Sequence, residues 1–566
     1  MTENGLLEPS FADAIAAINT AEALSPSKRT HWICSLRRVA KALDRPVESI
    51  AARWGAVALQ INLLHHANSG VEWKTLANHK SNAKAALFWF RNEQGLPPRG
   101  TPLRPEWQSL RRRLKIQFHL AKLSGLIRYC NLKGIAPDQV DEAVVDAYMA
   151  YRKETTALAV DNKARRAIAR VWNASRVIKD WPQRQLIEPP LKPKEGPRWE
   201  DFPRQLQDDV ASHLKVLATH RRGKGGKHLR PCKASTLRTR RTDLISFAKK
   251  VVRLGTPIDR LTSLSVLLDP EIVDRVIDKE WEDNGSDPKT STIDLAKKLV
   301  AVGRSAGCLT PDQLGKLDDK RATLEQYRKE GLTPKNLKLI RQVLNREVWA
   351  RVVNCPDDLM RRARSLKDQA PVKAAITAQI AVAVAILTFS PVRAENLASI
   401  RLGENLIKPG GPDTPYLLVF PEFDVKNRVD LTFELDDFVT AIIDEYVHDY
   451  RPAVMRGRTE DWLFPGETGG SKSEHFFGRQ VTERIQKVTG LRITLHQYRH
   501  AAAAIYLKHH PGDYETVRRF LGHRNIRTTV NFYCGLETTQ ATRLLGDVVR
   551  QHRKARKDLG LPGEST

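Results

Sequence analysis

The chain has 566 residues, and its 93 lysine and arginine residues against 65 aspartate and glutamate residues give a formal net charge of +28 at pH 7. The length predicts two to four domains, and the excess of positive charge favours a polyanionic partner, most often nucleic acid, with an anionic membrane surface or a merely basic soluble protein as the alternatives. The longest apolar run, residues 374–389, is too short and too interrupted to span a bilayer, which argues against a membrane protein.

Apolar residues three and four positions apart predict a mainly α-helical, multidomain fold. The pattern is clearest in four segments of the chain, residues 32–43, 141–154, 242–254 and 293–305. Strand-like alternation is confined mostly to residues 416–420 and 428–435. These two runs predict a small antiparallel sheet inside an otherwise helical domain.

Residues 187–204 are predicted to be a linker between two helical parts of the chain. The stretch begins IEPPLKPKEGP, and so many prolines disfavour a helix and favour an extended spacer. The six cysteines lie far apart and form no CxxC pair, so they predict neither a disulfide framework nor a zinc site and favour a reducing, cytoplasmic setting. The N-terminus lacks the basic-then-apolar order of a secretory signal.

Basic residues are concentrated in residues 220–241, where glycines interrupt charges of nearly a single sign. Such a stretch can follow a phosphate backbone and release counterions, and a solvated loop is the alternative. No aromatic residue is interleaved here, so base stacking is not predicted. The predicted DNA-contacting residues are Arg221, Arg222, Lys224, Lys227, Arg230, Arg238, Arg240 and Arg241.

Two cationic residues of the C-terminal half have positions that suit phosphate chemistry. Arg393 follows an apolar helix and a Ser-Pro pair, at a predicted corner between helices, where its guanidinium could bind a phosphate through two N–H groups or form a cap or a surface charge. Lys426 lies at the predicted hairpin turn, where a lysine is usually just solvated but could donate a proton to a departing oxygen.

The stretch LHQYRH at residues 495–500 and the stretch LGHRNIRTTVNFY at residues 521–533 supply the remaining groups. His496 and Arg499 share a helix face, and His500 lies about a hundred degrees away. A single histidine is more often a satisfied polar group than a catalyst. Together, however, two arginines, a lysine, two histidines and a tyrosine are the groups that metal-free phosphodiester chemistry needs: cations for the phosphate, an acid, a base and a nucleophile.

In their order along the chain, Arg393, Lys426, HQYRH, LGHRNIRTT and Tyr533 resemble the catalytic domain of the tyrosine recombinases, the group of phage integrases and Xer-type resolvases, over about residues 335–550. The resemblance implies that Arg393 and Arg499 grip the scissile phosphate. It implies that His496 is the general base or a phosphate ligand and that His523 bonds a non-bridging oxygen. Lys426 would be the general acid for the 5′-hydroxyl, and Tyr533 would form a 3′-phosphotyrosyl link without metal, ATP or other cofactor.

Two positions depart from the family pattern. Tyr533 stands one place further past His523 than the family spacing, and Phe532 occupies the usual place, yet Tyr533 remains the predicted nucleophile because no tyrosine lies nearer. The family's acidic residue three places after the first arginine is replaced here by Asn396, and Glu395 beside it is the predicted support for the site.

The resemblance also orders the predicted domains. They are an N-terminal helical domain (1–100), a second helical module (101–186), the linker (187–204), a helical core-binding domain that clamps DNA (205–330), the catalytic domain (331–552) and a basic tail (553–566).

The function that the resemblance implies is site-specific recombination, in the integration or transposition of a mobile element. The expected partner is double-stranded DNA, bound at two sites by a homotetramer, with accessory recombination proteins as further candidates, in a prokaryotic cytoplasm. Two alternatives stay open: a tyrosine-type topoisomerase, and a non-catalytic, basic, helical DNA-binding regulator or architectural protein.

Overall fold

Helices dominate the computed structural model, as the amphipathic patterns predict, and the mainly α fold class is confirmed. The structure describes residues 8–98, 100–190, 196–222, 226, 228–285, 287–423, 425, 429–534, 542 and 545–552. The chain divides into two compact units, the first made of residues 1–191 together with 331–566 and the second of residues 192–330.

The N-terminal part of the first unit contains two hydrophobic cores. One is built by residues between Phe11 and Leu87, and the other by residues between Trp107 and Leu186, within the two predicted N-terminal segments. The helices are α1 (Phe11–Thr20), α2 (Pro26–Ala42), α3 (Trp54–Leu63), α4 (His66–Ser69), α5 (Trp73–Phe90), α6 (Pro105–Arg113), α7 (Gln117–Lys133), α8 (Glu142–Thr155) and α9 (Asn162–Ala174).

The second unit has a core of its own, and that core begins inside the predicted linker. Trp199 and Phe202 are buried in this core, so the spacer ends before residue 204. Burying two large aromatic side chains is favourable enough to draw this part of the predicted linker into the packed unit. The elements are α10 (Arg204–Leu217), β1 (Arg221–Arg222), β2 (His228–Leu229), α11 (Ala234–Arg253), α12 (Leu264–Leu267), α13 (Pro270–Glu282), α14 (Thr290–Ala306) and α15 (Pro311–Glu325).

The C-terminal part of the first unit is organised around one apolar helix, α19. Among the described residues it alone has the length and hydropathy of a membrane span, and 72% of that window is buried inside the protein, where it forms the centre of a hydrophobic core. The helices are α16 (Pro334–Val343), α17 (Arg346–Val353), α18 (Cys355–Leu366), α19 (Pro371–Phe389), α20 (Ala394–Ala398), α21 (Asp437–Glu445), α22 (Arg451–Met455), α23 (Glu474–Thr489), α24 (Leu495–His509), α25 (Tyr514–Leu521) and α26 (Ile526–Tyr533).

A three-stranded antiparallel sheet lies beside these helices, in the order β3 (Leu406–Ile407), β4 (Leu417–Phe420), β5 (Leu431–Glu434). Leu418 pairs with Phe433 in the register of β4 and β5. The two strands predicted from the sequence are confirmed. β3 was not predicted, because two residues are too few to show an alternating pattern.

The N-terminal helices of the first unit contact its C-terminal part directly. Nε2 of His65 lies 3.0 Å from the carbonyl oxygen of Val488, and the Asn68 amide donates to the carbonyl oxygen of Gly490 at 3.0 Å. These bonds hold the start of α4 against the end of α23.

Candidate active site

Arg393 stands at the corner where the central helix of the C-terminal core gives way to a short one. α19 ends at Phe389 and α20 begins at Ala394, so Arg393 occupies the N-cap position of α20, as the sequence predicts. It is half-buried, and its Nη1 is buried without a hydrogen-bond partner among the residues that the structure describes. A buried, unpartnered guanidinium nitrogen is costly unless an anion binds it, so this arginine is placed to receive one.

α24 carries the second arginine in a fixed orientation. The Thr494 hydroxyl and the Gln497 side chain form a capping box that defines where the helix starts. Arg499 is buried, and its two terminal nitrogens donate to the carbonyl oxygens of Pro391 and Leu521. These two bonds tie α24 to the turn before α20 and to the end of α25, and they fix the plane of the guanidinium.

The phenol of Tyr533 lies against the ring of His500. The Tyr533 hydroxyl is 2.8 Å from Nδ1 of His500, and the tyrosine is only 1% exposed. In the imidazole tautomer protonated on Nε2, the hydroxyl donates to Nδ1, so His500 can accept the phenol proton. His496 is exposed and packs edge-on against His500, with ring centroids 4.8 Å apart.

His523 is positioned by a glycine that ends α25 and by a buried threonine. Gly522 has φ +60°, the left-handed conformation that commonly ends a helix, and the chain then turns into His523. Nδ1 of His523 lies 2.9 Å from the hydroxyl oxygen of Thr529, which holds the ring in one orientation. A Cβ atom at position 522 would lie 2.8 Å from Cδ2 of Leu431 on β5, so the sheet packs directly against this turn.

We expect Gly522→Ala to lower the free energy of unfolding by roughly 2–4 kcal/mol, because it adds left-handed strain to a clash with Leu431. Gly457 is a matched control in the same region: its φ is +80° and a Cβ there would meet nothing within 4 Å. Gly457→Ala should therefore cost only about 1 kcal/mol of strain. Denaturant unfolding of both variants measures the difference, and equal losses would contradict the packing explanation.

Positive charge is concentrated in this poorly solvated pocket. Burial, with neighbouring Arg393 acting in the same direction and Tyr533 opposing it, lowers the pKa of Arg499 to about 9. Burial and the nearby cations lower the pKa of His500 to about 4 and that of His523 to about 4. Burial raises the pKa of Tyr533, and Arg499 opposes that rise. At pH 7 Arg499 is therefore charged, while the imidazoles of His500 and His523 are neutral.

The lowered pKa values of His500 and His523 predict that acid destabilises the folded protein. A histidine with a pKa of about 4 in the folded state binds its proton in the unfolded state first, so stability falls as pH drops from about 6.5 towards 4. We expect His523→Gln to remove its share, flattening the pH dependence by at most about 1.4 kcal/mol per pH unit. Denaturant unfolding between pH 7.5 and 4.5 tests this, and a slope equal to that of the wild type would contradict it.

The structure brings most of the predicted catalytic residues together. Arg393 and Arg499 both lie near enough to His523 to lower its pKa, and Arg499 interacts with Tyr533. His496 adjoins this group through its contact with His500. Lys426, the predicted general acid, lies outside the described residues, so its position stays a prediction.

His500 is the residue to which the sequence analysis gave no role. It lies about a hundred degrees around α24 from the face that His496 and Arg499 share, and α26 brings Tyr533 to that side of the helix. The pairing of His496 with a histidine four residues later was the signal available, since such residues are neighbours on a helix. The support predicted for Glu395 is not favoured, because Glu395 is exposed whereas the neighbouring Asn396 is only 4% exposed.

The predicted DNA-contacting residues lie in the second unit. Arg221 and Arg222 form β1, and three arginines predicted as part of a basic stretch are on α11, namely Arg238, Arg240 and Arg241. Arg230 follows β2 and is exposed, while Lys224 and Lys227 lie outside the described residues. Their contacts with DNA remain predictions.

The C-terminal region matches known proteins. Residues 372–539 match the phage integrase family. This match supports the resemblance to the tyrosine recombinases that the motifs indicate. An 89-residue stretch of the chain is 30% identical to tyrosine recombinase XerD of Proteus mirabilis, covering 15% of this chain and 28% of that protein. An 88-residue stretch is 31% identical to XerD of Pseudomonas aeruginosa, covering 15% and 29%. The chain thus spans less than a third of the length of the curated relatives that it matches.

Several solved structures are similar to the chain at low sequence identity. XerA recombinase is 15% identical with a TM-score of 0.24, covering 61% of this chain and 98% of that one. A lambda integrase tetramer bound to a Holliday junction is 15% identical with a TM-score of 0.32, covering 56% and 77%. The Tn1549 transposon integrase in complex with a circular intermediate DNA is 12% identical with a TM-score of 0.33, covering 60% and 98%.

Proposed function

We propose that this chain is a site-specific DNA recombinase or integrase that cleaves and rejoins DNA through a 3′-phosphotyrosyl intermediate on Tyr533. The observation that carries the proposal is the 2.8 Å contact between the Tyr533 hydroxyl and His500, made beside the buried Arg499 and the half-buried Arg393. The nucleophile, the proton acceptor and the charged phosphate ligands come from three separate helical segments of the chain and meet at one site.

The scissile phosphate would bind beside Arg393 and Arg499, where its negative charge offsets the charge of the two guanidinium groups. Nη1 of Arg393 is buried and unpartnered among the described residues, and an oxygen of the phosphodiester would accept its hydrogen bond. Arg499 is already held by two carbonyl oxygens, so its remaining N–H groups can face the phosphate without reorganisation. His523, held by Thr529, would donate its Nε2 proton to a non-bridging oxygen as charge develops there.

The reaction exchanges one phosphodiester for another. The Tyr533 oxygen forms a bond to phosphorus, its proton passes to His500, and the bond from phosphorus to the 5′-oxygen of the DNA breaks. The departing 5′-oxygen takes a proton, for which Lys426 is the predicted donor. A bound phosphodiester anion would also raise the pKa of His500 by offsetting the nearby cations, making it a better proton acceptor. Since the phosphotyrosyl ester keeps the bond energy, rejoining needs no ATP, and the groups present need no metal.

Double-stranded DNA is the proposed partner. The net charge of +28 supports a polyanion as substrate, and the arginines of β1 and α11 give the second unit a cationic surface. We further propose a homotetramer acting on two DNA sites, in the integration or transposition of a mobile element within a prokaryotic cytoplasm. A topoisomerase would use the same pocket on a single duplex.

The test is the recovery of covalently attached DNA. A library of duplexes with randomised centres and a nick near each candidate site traps the intermediate, because the short cleaved fragment diffuses away. We expect an adduct that survives a denaturing gel, forms in EDTA without ATP, and is released by protease. Strand transfer into a second labelled duplex separates a recombinase from a topoisomerase, which would only relax supercoils. DNA binding without any adduct would leave the non-catalytic alternative.

A further inference from the structure

The C-terminal end of α23 is held by two side chains from the N-terminal helices. Nε2 of His65 lies 3.0 Å from the carbonyl oxygen of Val488, and because a carbonyl oxygen only accepts, the imidazole proton is on Nε2. The amide of Asn68 donates to the carbonyl oxygen of Gly490 at 3.0 Å. Carbonyl groups at the end of a helix have no partners within that helix. Here two of them are bonded by residues more than 400 positions earlier in the chain.

The imidazole of His65 is fully engaged at this contact. Its Nδ1 accepts from the backbone N–H of Ala67 at 3.3 Å, so one neutral tautomer uses both ring nitrogens. Burial lowers the pKa of His65, and neighbouring basic side chains lower it further, while the bond to Val488 opposes the shift. The ring is therefore neutral at pH 7, and its two hydrogen bonds fix its orientation.

Gly490 allows the two parts of the chain to approach this closely. Its φ is +77°, the left-handed conformation that commonly ends a helix. A Cβ atom at this position would lie 2.8 Å from Cβ, Cγ and Nδ1 of His65. The contact with the imidazole, as well as the end of α23, therefore requires a glycine here.

The contact lies immediately before the helix that carries most of the candidate catalytic residues. Only residues 491–494 connect the end of α23 to the start of α24. Leu491 and Ile493 in this connection are buried in the hydrophobic core built around α19. A short, buried connection cannot absorb a shift of α23 without moving the start of α24, one turn before Arg499. The end of α23 therefore sets where α24 begins.

We propose that His65 and Asn68 are positioning residues for strand cleavage by Tyr533. This inference rests on the proposed function, which supplies the reaction. By bonding the end of α23, the two side chains fix the start of α24, and with it the guanidinium of Arg499 and the proton acceptor of the phenol. They act through the connection between the helices and not by contact with the substrate. Small displacements matter because cleavage needs the reacting groups aligned within a fraction of an ångström.

The double variant His65→Phe/Asn68→Leu removes both donors and keeps side chains of similar size. We expect the rate of adduct formation at saturating DNA to fall about tenfold, because two hydrogen bonds that hold the catalytic helix are lost. The affinity for DNA should stay within twofold of the wild type, since the arginines that bind phosphate are unchanged. An unchanged rate, or a loss confined to affinity, would overturn the positioning role.

Two single variants separate the hydrogen bond of His65 from the packing of its ring. His65→Gln loses the ring but retains an amide that can donate to the carbonyl oxygen of Val488, so the rate should stay within twofold of the wild type. His65→Phe retains a ring but loses the donor, and its rate should fall about fivefold. The reverse order would show that ring packing supports the fold and would overturn the assignment.

Gly490→Ala tests the same contact from the side of α23. The added methyl group displaces the imidazole of His65, and the rate of adduct formation should fall about tenfold. Gly403→Ala is the matched control, because Gly403 has φ +76° and a Cβ there would meet nothing within 4 Å. It adds the same kind of backbone strain and should cleave within twofold of the wild type. Equal losses would assign the effect to strain and overturn the role of the contact.

Hydrogen exchange without DNA separates this inference from the proposed function. Amides of residues 491–500 should exchange about tenfold faster in His65→Phe/Asn68→Leu. They should be unchanged in His79→Phe, which loses a 3.1 Å bond to Ser35 within the N-terminal helices. If the wild type forms no adduct while this exchange changes as expected, the recombinase proposal fails and the control of α24 stands. An adduct formed at the wild-type rate, with unchanged exchange, leaves the recombinase proposal standing and overturns the positioning role.

Discussion

Replacing Tyr533 by phenylalanine should abolish the covalent protein–DNA adduct, a loss of at least about a thousandfold. The substitution keeps the ring that fills the small core formed with Ala503, Leu507, Val517 and Leu521, and removes only the oxygen that faces His500. Stability should fall by about 1 kcal/mol, for one lost hydrogen bond. DNA affinity should stay near the wild-type value, because the cations that bind phosphate are untouched. The nicked-duplex assay and a filter-binding assay measure the two effects.

Tyr506→Phe is the matched control. The hydroxyl of Tyr506, on α24, donates to the carboxylate of Asp513 at 2.7 Å rather than to a residue of the pocket. This variant should form the adduct normally. An adduct of wild-type amount in Tyr533→Phe would refute the nucleophile assignment.

The one-residue departure in spacing can be tested by exchanging two neighbours. Phe532 is 38% exposed and Tyr533 is 1% exposed, and adjacent positions on α26 point about a hundred degrees apart. The double variant Phe532→Tyr/Tyr533→Phe restores the spacing usual in the family. We expect it to stay inactive, because the hydroxyl would point away from His500. Recovered cleavage would mean that α26 shifts register when DNA binds.

Replacing Arg499 by lysine should reduce strand cleavage by at least about a hundredfold. The guanidinium uses its two terminal nitrogens on the carbonyl oxygens of Pro391 and Leu521 and still has N–H groups left for a phosphate. A lysine ammonium has three donors at a single point and cannot bridge those two carbonyl groups while also facing the phosphate. The loss should therefore appear in the rate of adduct formation at saturating DNA.

Arg519→Lys is the control for this experiment. Arg519 lies on α25 with its side chain 75% exposed and pairs with Glu515 at 2.9 Å. It should cleave like the wild type. A similar rate for Arg499→Lys, with an unchanged melting temperature, would show that Arg499 supports the fold and does not bind the scissile phosphate.

Much of the fold could be predicted because helical periodicity is a local property. The segments at 141–154 and 293–305 are helices within two or three residues of their predicted ends, and both predicted strands are present. The linker was predicted too long because Trp199 and Phe202 gain their burial from helices far along the chain. No local pattern of prolines can report that contact.

The candidate site, like the fold, could be predicted from the sequence only in part. The sequence by itself determined the charge, the residue types and their order, since Arg393, Arg499, His523 and Tyr533 are recognisable from short motifs. Only the tertiary structure decided that His500 receives the Tyr533 hydroxyl and that Asn396, rather than Glu395, is buried. The physical reason is that motif and periodicity span a few turns of one helix, whereas burial and hydrogen bonding depend on segments that meet only after the chain has packed.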